Sequence, residues 1–188
     1  AARIRRSRDG ACEPPLSQRV AEPRRGTLQP AAATARVAWP DRFGTRFVLC
    51  VDTEEEFDWQ APLRREASAT TAIAAIPGAH RPFADRGVAV TYLVDYPVAN
   101  DPRAVAALSE VLGDGRSEIG AQLHPWVNPP HEEAIGEANS FLANLPVGLQ
   151  MAKLSALTQK IARAFGRGPR VFRAGRYGVG PATWELLA

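Results

Sequence analysis

The sequence predicts an α/β protein built on repeated βα units around a parallel sheet or barrel. Three observations predict it. Four short apolar, β-rich runs recur along residues 46–173, helical patterns separate them, and polar residues of unusual type follow the runs.

The first run, Arg46-Phe47-Val48-Leu49-Cys50-Val51, has the texture of a buried parallel strand. Residues 68–86 read as a helix that Pro77 and Gly78 should interrupt. Val88–Val94 is a second buried strand. Residues 101–113 form a helix, with Asp101 as its cap, Pro102 in its first turn, and Val105, Leu108 and Leu112 on one face. Gly113-Asp114-Gly115 is a turn signal before the third strand, residues 118–122. A proline-bearing connection follows, then an amphipathic helix over residues 149–165 with Leu154, Leu157, Ile161 and Phe165 aligned. Residues 170–173 make a short fourth strand. Pro181 opens a last helix through Trp184 and Leu187, whose apolar face expects a further strand, so the chain reads as truncated.

Charge separates a tail from a domain. The net charge is +3, but residues 1–40 hold eight Arg against three acidic residues, leaving residues 41–188 at about −2. The tail is rich in Arg, Ala and Pro and poor in large apolar residues, which predicts disorder over residues 1–40. The near-neutral domain of residues 41–188 argues against a nucleic-acid partner. Cys12 and Cys50 are the two cysteines, one in the tail and one in a strand, which argues against a disulfide framework or a thiolate metal site. No stretch is apolar enough for a membrane span, and none has the form of a secretory signal; the compartment stays open, with a cytoplasmic one favoured. The chain begins with Ala, so its natural start is expected to lie elsewhere.

In parallel α/β folds, chemistry gathers at the C-terminal ends of the strands. Five carboxylates occupy the seven positions from Asp52 to Asp58 after the first run. Crowded carboxylates repel one another, and a bound cation relieves that repulsion. Asp52 directly follows apolar sequence and is the functional candidate; Glu55 and Glu56 are expected to be solvated. His124 follows the third strand within Gln122-Leu123-His124-Pro125-Trp126 and suits a neutral imidazole ligand. His80 reads as a surface residue and His131 as an exposed loop residue. After the fourth strand, Arg173, Arg176 and Tyr177 in a glycine-punctuated turn suit an anionic or sugar ligand. Nothing matches a dinucleotide fingerprint or a phosphate loop.

These segments, in this order, resemble the polysaccharide deacetylase family, metal-dependent carbohydrate esterases with a distorted (β/α) barrel. Val48–Glu54 resembles the family's first motif, Glu118–His124 the segment supplying metal histidines, and Phe172–Gly178 the motif of an Arg followed by a Tyr-containing turn. The resemblance covers roughly residues 46–188 and implies an incomplete barrel. It implies Asp52 as general base, Arg173 as the arginine that keeps that aspartate ionised, and a Tyr177 backbone amide at the oxyanion. Thr53 stands where the family has a ligand aspartate, so Glu54 and His124 become the metal candidates, with His131 a conceivable third. Gln122 stands at a histidine position, and a neutral amide is a weaker zinc ligand than imidazole. Gln122, Trp126 and Arg176 are then read as substrate contacts. The resemblance implies a divalent metal, zinc foremost, and an N-acetylated oligo- or polysaccharide substrate. It also implies that later strands, with the general-acid histidine, lie beyond Ala188. The alternatives are a carbohydrate-binding relative without catalysis, in which Gln122 has replaced a ligand, and an inactive fragment; the fragment itself, lacking those strands, is expected to show little or no activity.

Overall fold

The computed structural model describes residues 38–188. The tail expected over residues 1–40, with Cys12, falls almost entirely outside the described residues. Four strands, β1 (Leu49–Thr53), β2 (Val90–Val94), β3 (Glu118–Leu123) and β4 (Phe172–Ala174), form one sheet in the order β1-β2-β3-β4. All three pairings are parallel. The helices between them are α1 (Ile76–Ala84), α2 (Tyr96–Asn100), α3 (Pro102–Val111) and α4 (Val147–Phe165), with α5 (Pro181–Leu187) last. No helix among the described residues is long and apolar enough to cross a membrane.

Side chains alternate across a sheet, and register partners share a face. Val90, Tyr92, Val94, Ile119, Ala121 and Leu123 point into the apolar core beneath the helices. Leu108, Leu157 and Ile161 from α3 and α4 complete that core and are fully buried. Each such side chain contributes about 1.5–3 kcal/mol by leaving water. The opposite face carries Asp52 beside Leu93 and Gln122 beside Arg173. In a flat sheet, three strand spacings would hold β1 and β4 about 14 Å apart, beyond the joint reach of an Asp and an Arg side chain. Arg173 nevertheless donates to Asp52. The sheet is therefore curled into a half-barrel, an incomplete (β/α) barrel with its polar face inside. Gly120 permits the curl: a Cβ there would lie 2.6 Å from Leu93 Cδ2 and 3.1 Å from the Val171 carbonyl.

Several boundaries differ from the sequence expectation. β1 begins three residues later, because its pairing with β2 starts at Leu49, and Phe47 and Val48 stand exposed at 78% and 73%. Asp52 therefore lies within the strand rather than after it. The expected helix over residues 68–86 is a 3₁₀ turn (Thr71–Ala75) running into α1, with Pro77 in the first turn of α1. Asp101 caps α3 as expected, accepting from the Arg103 amide at 2.9 Å. The short α2 was not expected; Asp95 caps it by accepting from the Val98 amide at 2.9 Å. His80, expected at the surface, is 5% exposed: α1 turns it onto the sheet, where Nδ1 meets the Tyr92 hydroxyl at 2.9 Å. Its Nε2 lies 3.2 Å from Asp114. His131 is exposed, as expected.

The long connection after β3 is anchored from α4. Lys153 is fully buried, and its ammonium donates to the carbonyls of Pro125, Asn128 and Pro130 at 2.9, 2.6 and 2.7 Å. It also pairs with Glu133 at 3.1 Å. Replacing Lys153 by Met keeps the apolar stem but strands three carbonyls and a buried carboxylate, so Lys153→Met should destabilise by about 3 kcal/mol or more. Urea denaturation checks this, and a loss below about 1 kcal/mol would mean that the ammonium is not what anchors the loop.

Candidate functional site

The acidic segment after β1 divides by face. Asp52 points into the half-barrel, whereas Thr53 points to the helix side, buried, with its hydroxyl donating to the Val51 carbonyl at 3.0 Å. The alternation continues beyond the strand. Glu54 faces the polar interior, and Glu55 turns under the sheet end and is 2% exposed. Glu56 is exposed, and its carboxylate accepts from the Thr71 hydroxyl at 2.8 Å and the Ala72 amide at 2.7 Å, pinning the loop. The expectation that Glu55 is solvated is thus corrected, while Glu56 is at the surface as expected. Glu55 is buried because its backbone amide donates to Asp95 Oδ2 at 2.8 Å, which draws the loop against the end of β2.

Asp95 and His124 meet Glu55 there. His124 Nδ1 lies 2.8 Å from Glu55 Oε2, a hydrogen-bond distance. One donor or acceptor atom each from Glu55, Asp95 and His124 lie within 4.8 Å of one another, and all three residues are buried. Burial pushes the Glu55 carboxyl from 4.5 up to about 7. Burial, and then Glu55 itself, raise Asp95 well above the ordinary carboxylate range. Burial also lowers His124, which favours neutral imidazole, although the surrounding carboxylates oppose that.

The other nitrogen of His124 faces the half-barrel interior. Nε2 lies 3.5 Å from Glu54 Oε2 and 3.4 Å from Gln122 Nε2. Gln122 donates to Glu54, and its own Oε1 is buried without a partner. Burial, opposed by His124 and reinforced by Asp52, raises Glu54. The imidazole stacks on Trp126, with centroids 4.5 Å apart, and Phe57 meets it edge-on at 5.7 Å. Trp126 is itself buried, so it lies behind His124 rather than on an open substrate face.

The turn after β4 closes the site. Gly175 sits against His124; a Cβ there would lie 2.6 Å from the Leu123 carbonyl and 3.0 Å from His124 Nε2. Arg176 and Tyr177 follow with φ of 53° and 56°, a left-handed conformation costing on the order of 1–3 kcal/mol per non-glycine residue. Arg176 donates to Ser140 at 2.7 Å and covers the Phe141 ring at 4.4 Å, holding the turn to the long connection. The Tyr177 side chain is 79% exposed.

The structure therefore gathers Asp52, Glu54, Gln122, His124 and Arg173 at one end of the half-barrel. Trp126 and Arg176 are engaged with protein groups. Asp95 and Glu55 are the residues that sequence reasoning missed. Asp95 follows an apolar strand and precedes a helix-opening Tyr-Pro pair, the same strand-end signal that singled out Asp52.

No model of a protein family matches the chain, and no curated protein matches it. The chain is similar to the solved structure of the peptidoglycan deacetylase PdaC from Bacillus subtilis, at 18% identity and a TM-score of 0.46, over 74% of this chain and 54% of that one. The structure of a mutant of that enzyme gives 16% identity and a TM-score of 0.45, over 74% and 55%. The chain thus spans about half the length of these structures.

The raised Glu55 has a consequence for stability. Below pH 4.5 the group is protonated in both states; above it the unfolded chain ionises first, until the folded group ionises near 7. Stability of the metal-free protein should fall across that window, by about 3 kcal/mol for Glu55 alone. Urea denaturation at a series of pH values, in chelator, should show Glu55→Gln losing less stability than wild type across the window. Equal losses would mean that Glu55 is ionised throughout.

Proposed function

We propose that the protein is a metal-dependent hydrolase of non-peptide carbon–nitrogen bonds that removes acetyl groups from N-acetylated sugars. The observation that carries this reading is the convergence of an Asp52–Arg173 pair with Glu54 and His124 Nε2 inside the half-barrel. It agrees with the motif resemblance and with the half-barrel fold.

The donors suit a divalent cation on the Nε2 side of His124. With metal–ligand bonds of about 2.0–2.2 Å, two ligands of a tetrahedral ion sit about 3.4 Å apart. The Nε2–Glu54 separation of 3.5 Å matches this, and the partnerless Gln122 Oε1 offers a third oxygen if the amide turns. On the Nδ1 side the 2.8 Å contact is a hydrogen bond, and the buried Glu55–Asp95–His124 group leaves no open position for a substrate. Glu55 and Asp95 are read as the carboxylates that orient the ligand histidine. A cation at Glu54 and His124 would supply Lewis-acid polarisation of the acetamide carbonyl.

The chain's own residues do the rest. Arg173 holds Asp52 toward the interior, where its carboxylate takes a proton from the attacking water. The water oxygen adds to the carbonyl carbon, and the Tyr177 backbone amide, presented by its left-handed turn, steadies the developing oxyanion. Breakage of the C–N bond then releases acetate and the sugar amine, the leaving nitrogen taking up the proton that Asp52 accepted from the water. One observation favours a metal-free, binding-only alternative: Gln122 already donates to Glu54, satisfying that carboxylate without an ion.

Metal analysis and acetate release from N-acetylated oligosaccharides, made on the full-length protein, decide between them. About one zinc or similar ion per chain, with activity lost on chelation and reduced at least 100-fold in Asp52→Asn, is expected. Glu54→Gln should abolish metal binding, whereas Glu55→Gln should weaken it by about 10–100-fold, as removal of an orienting group does. Folded protein with neither metal nor acetate release would sink the enzyme reading and leave sugar binding.

A further inference from the structure

We propose that Trp59 is a sugar-stacking platform, which holds a second pyranose ring of the glycan beside the one at His124. The inference rests on the carbohydrate reading above and adds a binding residue to it.

Trp59 is 63% exposed, on the acidic loop that supplies Glu54 and Glu55. A large exposed ring usually lies flexibly on the surface; this one is held. Its turn is fixed by Asp58, whose Oδ1 accepts from the Gln60 amide at 2.8 Å and whose carbonyl accepts from the Ala61 amide at 3.1 Å. The indole meets the Phe57 ring edge-on at 4.4 Å. Phe57 in turn touches Trp126 at 5.5 Å and His124 at 5.7 Å. A continuous line of rings therefore runs from His124 through Phe57 and ends in an indole that is largely exposed. The indole can be no farther from His124 than those two ring separations end to end, which keeps it within the span of an oligosaccharide bound at His124.

Charge and shape choose the occupant. Asp52, Glu54, Glu56 and Asp58 stand on the same segment, which disfavours an anionic ligand and offers acceptors to hydroxyl and amine donors. A pyranose combines an apolar ring face, suited to an indole, with a rim of such donors. Trp39 and Trp184 are comparably exposed, yet Trp39 stacks on Phe43 and Trp184 lies on α5. Trp59 is the tryptophan whose exposed ring is tied to His124.

The test compares binding of monomeric and tetrameric N-acetylglucosamine to wild type, Trp59→Ala and Trp59→Phe by calorimetry. Trp59→Ala should weaken the tetramer about tenfold or more, leave the monomer within twofold, and leave the near-UV dichroism of the other tryptophans in place. Trp59→Phe should recover most of the loss. Tetramer binding by Trp59→Ala within twofold of wild type would overturn the platform while leaving the carbohydrate reading intact. Absence of binding of either sugar to wild type would overturn both.

Discussion

Around His124 the chain spends stability to fix one ring. Glu55 and Asp95 are both buried, and taking carboxylates out of water costs several kcal/mol each unless protons or donors compensate. The donors to Asp95 are the amides of Glu55 and Val98, and the Nδ1 edge of the imidazole lies at hydrogen-bond distance from Glu55. Because that edge is committed to Glu55, the other nitrogen must face the half-barrel. Trp126 and Phe57 close the ring's sides, and Gly175 makes room for it from β4. Every role given above to Glu54, Gln122 and Asp52 presumes that orientation.

Curvature is the second requirement. Asp52 and Arg173 lie on the two outer strands of the four-stranded sheet and meet only because the sheet folds toward its polar face. Gly120 removes the side chain that would resist bending at β3, and the apolar core on the convex side supplies the force that keeps it bent. Lys153 serves the same end from outside. By gathering three carbonyls of the connection after β3, it fixes the segment that carries Trp126 behind His124.

The elements were legible where local pattern and tertiary context agree. The apolar runs of β2 and β3 and the stripe of α4 read directly, because burial sets both their composition and their period. β1 was misplaced because Arg46–Val48 has strand-like composition but finds no partner on β2. Asp52, Arg173, Gln122 and His124 were singled out by their positions near strand ends, and the curled sheet brings them to one end of the half-barrel. Asp95 was not singled out, since it also does the ordinary work of capping α2. Glu55 was hidden among five carboxylates. Only the alternation of the chain past Thr53, with the pull of Asp95 on its amide, separates it from Glu54. His80 was misread because one turn of α1 decides whether a histidine meets water or Tyr92.

The orientation of His124 can be read without substrate, by ¹⁵N–¹H correlation NMR of the three histidine side chains in metal-free protein at neutral pH. The account predicts a neutral His124 with its proton on Nδ1 and a bare Nε2, whose ¹⁵N signal moves when zinc is added and does not move in Glu54→Gln. A proton on Nε2, with Nδ1 the nitrogen that responds to zinc, would contradict it and place the ion among Glu55, Asp95 and His124 instead.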